Sequence, residues 1–172
     1  MTPINLMDRL AERLQKLLDD YSTEQPSSET PMPVKVYPGY VPKQEDATER
    51  NSFVYVLVRQ ILDEDGNKKS SALVEIGFSI YDEHLSDGWR SLFNLLEHVR
   101  QDLLKYRFVN MKHRLELPMQ TDIMDDNNQA WPNWRATITA KYTIGQPEEE
   151  GFDYGDFQES HPYEKYEEYK KH

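Results

Sequence analysis

Apolar residues recur at helical spacing over the first two dozen positions. Ile4, Met7, Leu10, Leu14, Leu17, Leu18 and Tyr21 fall on one side, and Asp8, Arg9, Glu12, Arg13 and Lys16 on the other. The pattern predicts an amphipathic helix of about five turns. Thr2-Pro3 marks its start, an N-cap followed by proline at the first helical position, where the missing N–H is no loss. A Ser/Thr/Pro/Glu linker from Ser22 to Pro33 separates this helix from the first strand.

The period then changes from helical to alternating. Val34 to Tyr37 reads as a short strand stopped by Pro38-Gly39, and a polar loop runs from Pro42 to Ser52. Phe53 to Leu62 carries apolar residues on both faces, the mark of a central strand. The polar run Asp63 to Lys69 predicts a hairpin loop. In the return strand, Ala72 to Tyr81, Val74, Ile76, Phe78 and Ile80 alternate with Glu75, Gly77 and Ser79, which predicts one buried face.

Helical spacing returns after Ser86-Asp87-Gly88. Trp89, Leu92, Phe93, Leu96, Val99, Leu103 and Tyr106 form an apolar stripe backed by Arg90, Asn94, Glu97, Gln101 and Asp102. Two further strands are expected, Phe108 to Leu117 and Trp134 to Ile144, with a loop from Pro118 to Asn133 between them. The fold class is α+β, in the order α-β-β-β-α-β-β. A single, mainly antiparallel sheet of four to five strands is packed by two amphipathic helices.

Beyond Gly145-Gln146-Pro147 the texture changes again. Residues 146–172 hold nine carboxylates against three lysines and no aliphatic side chain, yet Phe152, Tyr154, Phe157, Tyr163, Tyr166 and Tyr169 punctuate them. Such a segment buries too little apolar surface to offset its ordering entropy. The expectation is one domain over residues 1–145 and a disordered acidic tail over 146–172. The tail reads either as solvated chain or as a docking peptide.

Charge and residue inventory exclude several functions. Asp and Glu number 31 against 20 Lys and Arg, a net charge of -11. That balance argues against wrapping nucleic acid, which needs clustered cations, and against anionic membrane surfaces. No run of 18 apolar residues occurs, so no membrane-spanning helix is expected. The chain has no cysteine, hence no disulfide, thiolate ligand or cysteine nucleophile. None of the seven glycines builds a G-x-G, Walker-type or G-x-S-x-G motif, and the five histidines lack H-x-x-x-H spacing. Asp63-Glu64-Asp65-Gly66 fails as a calcium loop because Lys68 and Val74 stand where a glycine and a bidentate glutamate are required. No cofactor, metal or catalytic residue is expected.

Three features remain. The stiff loop Pro38 to Pro42 offers Tyr40 and Pro42 either as interface anchors or as residues folded back on the core. Trp131-Pro132-Asn133-Trp134 offers a core-capping tryptophan pair or an anchor. Lys105, Arg107, Lys112, His113 and Arg114 form a basic run in an acidic chain, either a solvated strand or a contact complementary to an acidic patch on a neighbouring copy. Asp82-Glu83 and the loop with Asp122, Asp125 and Asp126 are the candidate acidic patches.

Taken together these patterns resemble the tail terminator, or tail completion, proteins of long-tailed bacteriophages. The resemblance spans roughly Thr2 to Ile144. It is carried by the N-terminal helix, the segment Val34-Lys35-Val36-Tyr37-Pro38-Gly39-Tyr40-Val41-Pro42, the paired strands Phe53 to Leu62 and Val74 to Tyr81, and Asp87-Gly88-Trp89. It continues with Val99-Arg100-Gln101-Asp102-Leu103-Leu104, Leu115-Glu116-Leu117-Pro118 and Trp131-Pro132-Asn133-Trp134. It implies a structural virion protein, made in the bacterial cytoplasm and placed at the head-proximal end of the tail. There a ring, commonly of six copies, caps the tail tube, stops its growth and forms the joint to the head. The implied partners are further copies of the chain, the tail tube protein and head–tail connector proteins, with DNA passing through unbound. A head–tail connector, an adaptor acting through the acidic tail and a small hydrolase of unfamiliar motif are the competing readings.

Overall fold

The computed structural model describes residues 2–24, 33–42, 52–64, 69–123 and 131–146. Its elements are α1 (Pro3–Glu24), β1 (Val34–Pro38), β2 (Ser52–Leu62), β3 (Ser71–Tyr81), α2 (Gly88–Lys105), β4 (Phe108–Val109), β5 (His113–Ile123) and β6 (Asn133–Thr143). The class is α+β, as the periodicities predict, with two helices and one mostly antiparallel sheet. The sheet has six strands among the described residues, in the order β1-β2-β3-β6-β5-β4, and only β1 and β2 run parallel.

The extra strand comes from a turn inside the segment Phe108 to Leu117, expected as one strand. Asn110 and Met111 both adopt positive φ, 52° and 58°. Lys112 N donates to the Val109 carbonyl across them at 3.2 Å. The three residues Asn110 to Lys112 thus form the loop of a hairpin in which Val109 pairs with His113. The returning β5 then continues through Pro118, where a loop was expected, as far as Ile123. Proline is tolerated there because the ladder with β6 breaks register between Glu116 and Gln120, so no N–H is needed.

Both helices cover one face of the sheet, α1 over β1 and β2, and α2 over β3 and β6. Leu6, Leu10, Leu14 and Leu18 of α1 and Leu92, Leu95, Leu96, Val99 and Leu103 of α2 are buried. They meet Val54 and Val56 of β2, alternate residues of β3 from Ala72 to Ile80, and Ala136, Ile138, Ala140 and Tyr142 of β6. The helical stripes are rotated slightly from those expected. Ile4, Trp89 and Phe93 stand at the margin, exposed, while Leu6, Ala11 and Leu95 are buried. Burial pushes the Tyr142 phenol pKa well up, so this core tyrosine stays neutral.

The opposite face mixes apolar and polar side chains, with Leu57 buried and Phe53 and Leu73 half-buried. Tyr55 lies across Gly77, the one position in β3 where a Cβ would collide with its ring. Tyr55 Oη and Arg59 Nη2 both donate to Glu75 Oε1, at 2.7 and 2.6 Å. The Arg59 guanidinium is the main cause that holds the Glu75 carboxyl below its ordinary value.

An edge strand offers unpaired backbone groups to any passing chain. On β1 the side chain of Gln15 occupies two of them, accepting from Val36 N at 2.7 Å and donating to the Val34 carbonyl at 3.1 Å. Gln15→Ala is therefore expected to cost about 1–2 kcal/mol, two hydrogen bonds' worth. It should also speed amide exchange at Val36 selectively, which hydrogen-exchange mass spectrometry will read.

Candidate functional site

The strand registers place Leu62, Ser71, Thr143 and Arg114 at one end of the sheet, and Phe53, Tyr81, Asn133 and Ile123 at the other. Tyr40 and Pro42 follow β1 at the edge of the sheet, beside the middle of β2. The other described candidates divide between these two ends, and each end is built differently.

The first end carries the β4–β5 hairpin. Lys105 closes α2, and Tyr106, Phe108 and Met111 are all exposed, Met111 to 87%. Lys105, Lys112 and Arg114 are exposed and Arg107 is half-buried. The cations lie over the rings. Lys105 Nζ is 5.2 Å from the Tyr106 centroid, and Arg114 Cζ is 5.9 Å from that of Phe108. Such contacts hold a cation without neutralising it. Elsewhere Arg9, Arg13, Arg59, Arg90, Arg100 and Lys141 each pair with a carboxylate. By contrast, Lys105, Arg107, Lys112 and Arg114 form no ion pair with a described residue. Among the described residues, the basic run is thus a surface of charge that no carboxylate pairs with.

His113 does not belong to that surface. The strand alternation turns it inward, fully buried. Its Nδ1 lies 3.1 Å from the Thr143 carbonyl, which can only accept, so Nδ1 carries the proton.

The base of the hairpin is anchored by Arg13 of α1. Arg13 Nη1 donates to the Tyr106 carbonyl at 2.7 Å, and Nη2 to the Asp102 carbonyl at 3.0 Å and to the Asp102 carboxylate. The Tyr106 carbonyl lies just past the end of α2, and the Asp102 carbonyl, which also accepts from Tyr106 N at 2.9 Å, belongs to its last turn, where a cation is favoured. Arg13 therefore ties α1 to the end of α2 at the point where the hairpin departs, and Tyr21 of α1 packs on His98 of α2 at 4.5 Å.

The second end gathers the start of α2, Trp134 and Asp82. Asp82 was expected to be part of an acidic surface patch, but it is largely withdrawn from solvent. Its carboxylate accepts from Ser91 Oγ at 2.6 Å and from His84 N and Nδ1 at 2.9 and 2.7 Å. Burial is the largest single influence and acts to raise its pKa, but the hydrogen bonds from Ser91 and His84 together outweigh it, and the carboxyl sits below its ordinary value. Glu83 is exposed beside it, and Asp87 is exposed and paired with Arg90 at 3.0 Å. Asp122 is exposed near the end of β5 and accepts from Gln120 Nε2 at 2.9 Å. Asp125 and Asp126 lie outside the described residues, as does the acidic tail from residue 147.

The aromatic candidates separate. Trp134 is half-buried against the core, with its indole N–H on the Asp82 carbonyl at 3.1 Å, so it caps the core. Trp131 is 54% exposed and Tyr40 82% exposed. Tyr40 does not fold back, and Pro42 beside it is also exposed. The expected pair of tryptophans is one structural residue and one surface residue. Sequence reading missed the exposed pair Trp89 and Phe93, whose rings meet edge-on at 5.6 Å, because both sit at helical spacing with the core stripe.

Among the described residues, no group of three or more His, Asp or Glu side chains gathers closely enough to hold a metal ion. Among the described residues, no helix is long and apolar enough to cross a membrane. No protein-family model and no curated protein matches the chain. One solved structure aligns over 83% of this chain and 97% of its own at 16% identity, with a TM-score of 0.43, a likeness that carries no argument about function.

Proposed function

We propose that the chain is a structural assembly subunit that caps a bacteriophage tail tube as a ring of identical copies, six by its sequence resemblance. The ring halts tube growth at the head-proximal end and offers the joint to the head. The observation that carries this reading is the polarity of the fold. Cations without a carboxylate partner among the described residues stand on the β4–β5 hairpin, and Asp122 stands near the far end of β5, about 26 Å away at about 3.3 Å per residue. A ring needs two different patches that meet head to tail, and patches at opposite ends of one strand are suited to that. Interfacial charges of this kind steer encounter and fix register. The net charge of -11 is compatible with DNA passing through such a ring without being held.

The test is assembly with purified tail tube protein, followed by light scattering and electron microscopy. Rings at tube ends and shorter tubes are expected. Arg107→Glu with Arg114→Glu should weaken assembly at least tenfold, about 1.4 kcal/mol, with the melting temperature nearly unchanged. Unaltered assembly by that variant would remove the hairpin from the interface. Binding to a connector but not to tubes would move the assignment to the head–tail connector class.

A further inference from the structure

We infer that the basic hairpin is the docking site of the chain's own acidic tail, through residues 148–159. The occupant is chosen by complementarity and by position. The hairpin offers Lys105, Arg107, Lys112 and Arg114 without carboxylate partners among the described residues, with Tyr106, Phe108 and Met111 exposed between them. Residues 148–159 offer Glu148, Glu149, Glu150, Asp153, Asp156 and Glu159, no cation, and Phe152, Tyr154 and Phe157 between the acids. Both surfaces thus alternate charge with aromatic area, in opposite sign. Rings of this kind contribute contact area at low entropic cost, and guanidinium groups stack on them.

Position favours the chain's own tail over other acidic peptides. Arg114 N donates to Thr143 Oγ1 at 3.0 Å, so the end of β6 touches the start of β5. The described chain ends at Gln146, at the hairpin end of the sheet, with Gln146 Nε2 on the Glu64 carbonyl at 3.2 Å. β4 lies two strand spacings from β6, about 10 Å. Even from Glu64, which follows β2 at four strand spacings (about 19 Å) from β4, a chain that covers about 3.3–3.6 Å per residue reaches the hairpin in about six residues. Asp153, Asp156 and Glu159 can therefore meet the cations, and Glu148 to Glu150 lie on the way. Individual surface charge pairs are weak. A short tether compensates, because it holds the tail at an effective concentration in the millimolar range. A neighbouring copy that used the same hairpin would have to displace the tail. The docking itself does not depend on whether a ring forms.

The experiment uses the full chain as a dilute free subunit. Because the native sequence has no cysteine, Ser160→Cys accepts a single nitroxide label at the end of the segment. Amide resonances then report where it sits. Beyond the label's own neighbours in sequence, broadening centred on residues 105–114 and the adjoining end of β6 is expected at about 0.05 M salt, independent of protein concentration, and lost at about 1 M salt, where the screening length falls to about 3 Å. Lys112→Glu with Arg114→Glu should abolish it at low salt while the remaining resonances keep their positions. If that variant does not fold, the salt series decides. No broadening at low salt, broadening spread over the sheet, or broadening that grows with concentration overturns the inference. The last outcome assigns the hairpin to another copy's tail. Assembly on tubes is scored separately, so either idea can fail alone.

Discussion

Arg13→Ala is expected to lower the unfolding free energy by about 3 kcal/mol, the range for breaking a largely buried ion pair from one side. The melting temperature should fall by about 10 °C. Arg13 makes its three contacts to α2 from side-chain positions only 23% exposed, and Asp102 is 14% exposed. Removal of the guanidinium leaves the Asp102 carboxylate without its ion-pair partner and takes one hydrogen bond from each of the Asp102 and Tyr106 carbonyls, the former keeping the one from Tyr106 N. Asp102→Ala removes one of those contacts and leaves Arg13 on the two carbonyls, so it should cost less, about 1–2 kcal/mol. Urea unfolding of both variants checks the order. Equal losses would mean that the two carbonyl hydrogen bonds contribute nothing. The hairpin leaves α2 at Tyr106, so amide exchange from Tyr106 to Val109 should also rise in Arg13→Ala.

Gly88→Ala should cost about 2 kcal/mol, in the range for overpacking a filled site. An added Cβ would land on Trp134 Nε1 and 2.9 Å from its Cε2. The indole cannot step aside freely, because its N–H is held by the Asp82 carbonyl and Asp82 is in turn held by Ser91 of α2. Helix propensity argues the other way, but by less than the roughly 1 kcal/mol that favours alanine over glycine in a helix interior, because Gly88 is the first residue of α2. The sign of the measured change therefore decides between packing and propensity. A stabilised variant would show that Trp134 can be moved at little cost. Trp134 fluorescence, compared with a Trp134→Phe control, reports whether the indole has shifted.

The sequence reading succeeded where one period was repeated over many residues. Both helices, β1, β2, β3 and β6 lie close to where their spacing put them, and β6 shows the expected alternation of Ala136, Ile138, Ala140 and Tyr142 inward with Thr137, Thr139 and Lys141 at the opposite face. It failed where a single backbone conformation overrode the period. Asn110 hinted at a turn, but Met111 at positive φ is a choice that composition does not suggest. Pro118 read as a stop, yet a break in register allowed the strand to pass through it.

The candidate surface was legible as a set of residues and not as a site. Consecutive Lys112, His113 and Arg114 look alike in a charge count, but strand geometry points His113 into the core and the other two outward. Asp82 looked like surface acid, and Ser91, nine residues on, draws it inward. Trp131 and Trp134 looked like a pair and have separate duties.

Local periodicity and composition were enough to determine the α+β class, the identity of the helices and most strands, and the contrast between a basic stretch and an acidic C-terminal segment. Those properties depend on near neighbours and on how many apolar groups a segment carries. Tertiary structure alone decided that β6 enters between β3 and β5, that Arg13 reaches the end of α2, and that the hairpin cations find no carboxylate among the described residues. Those are set by which distant segments pack together, and a side chain's charge is neutralised or left open by neighbours far away along the chain.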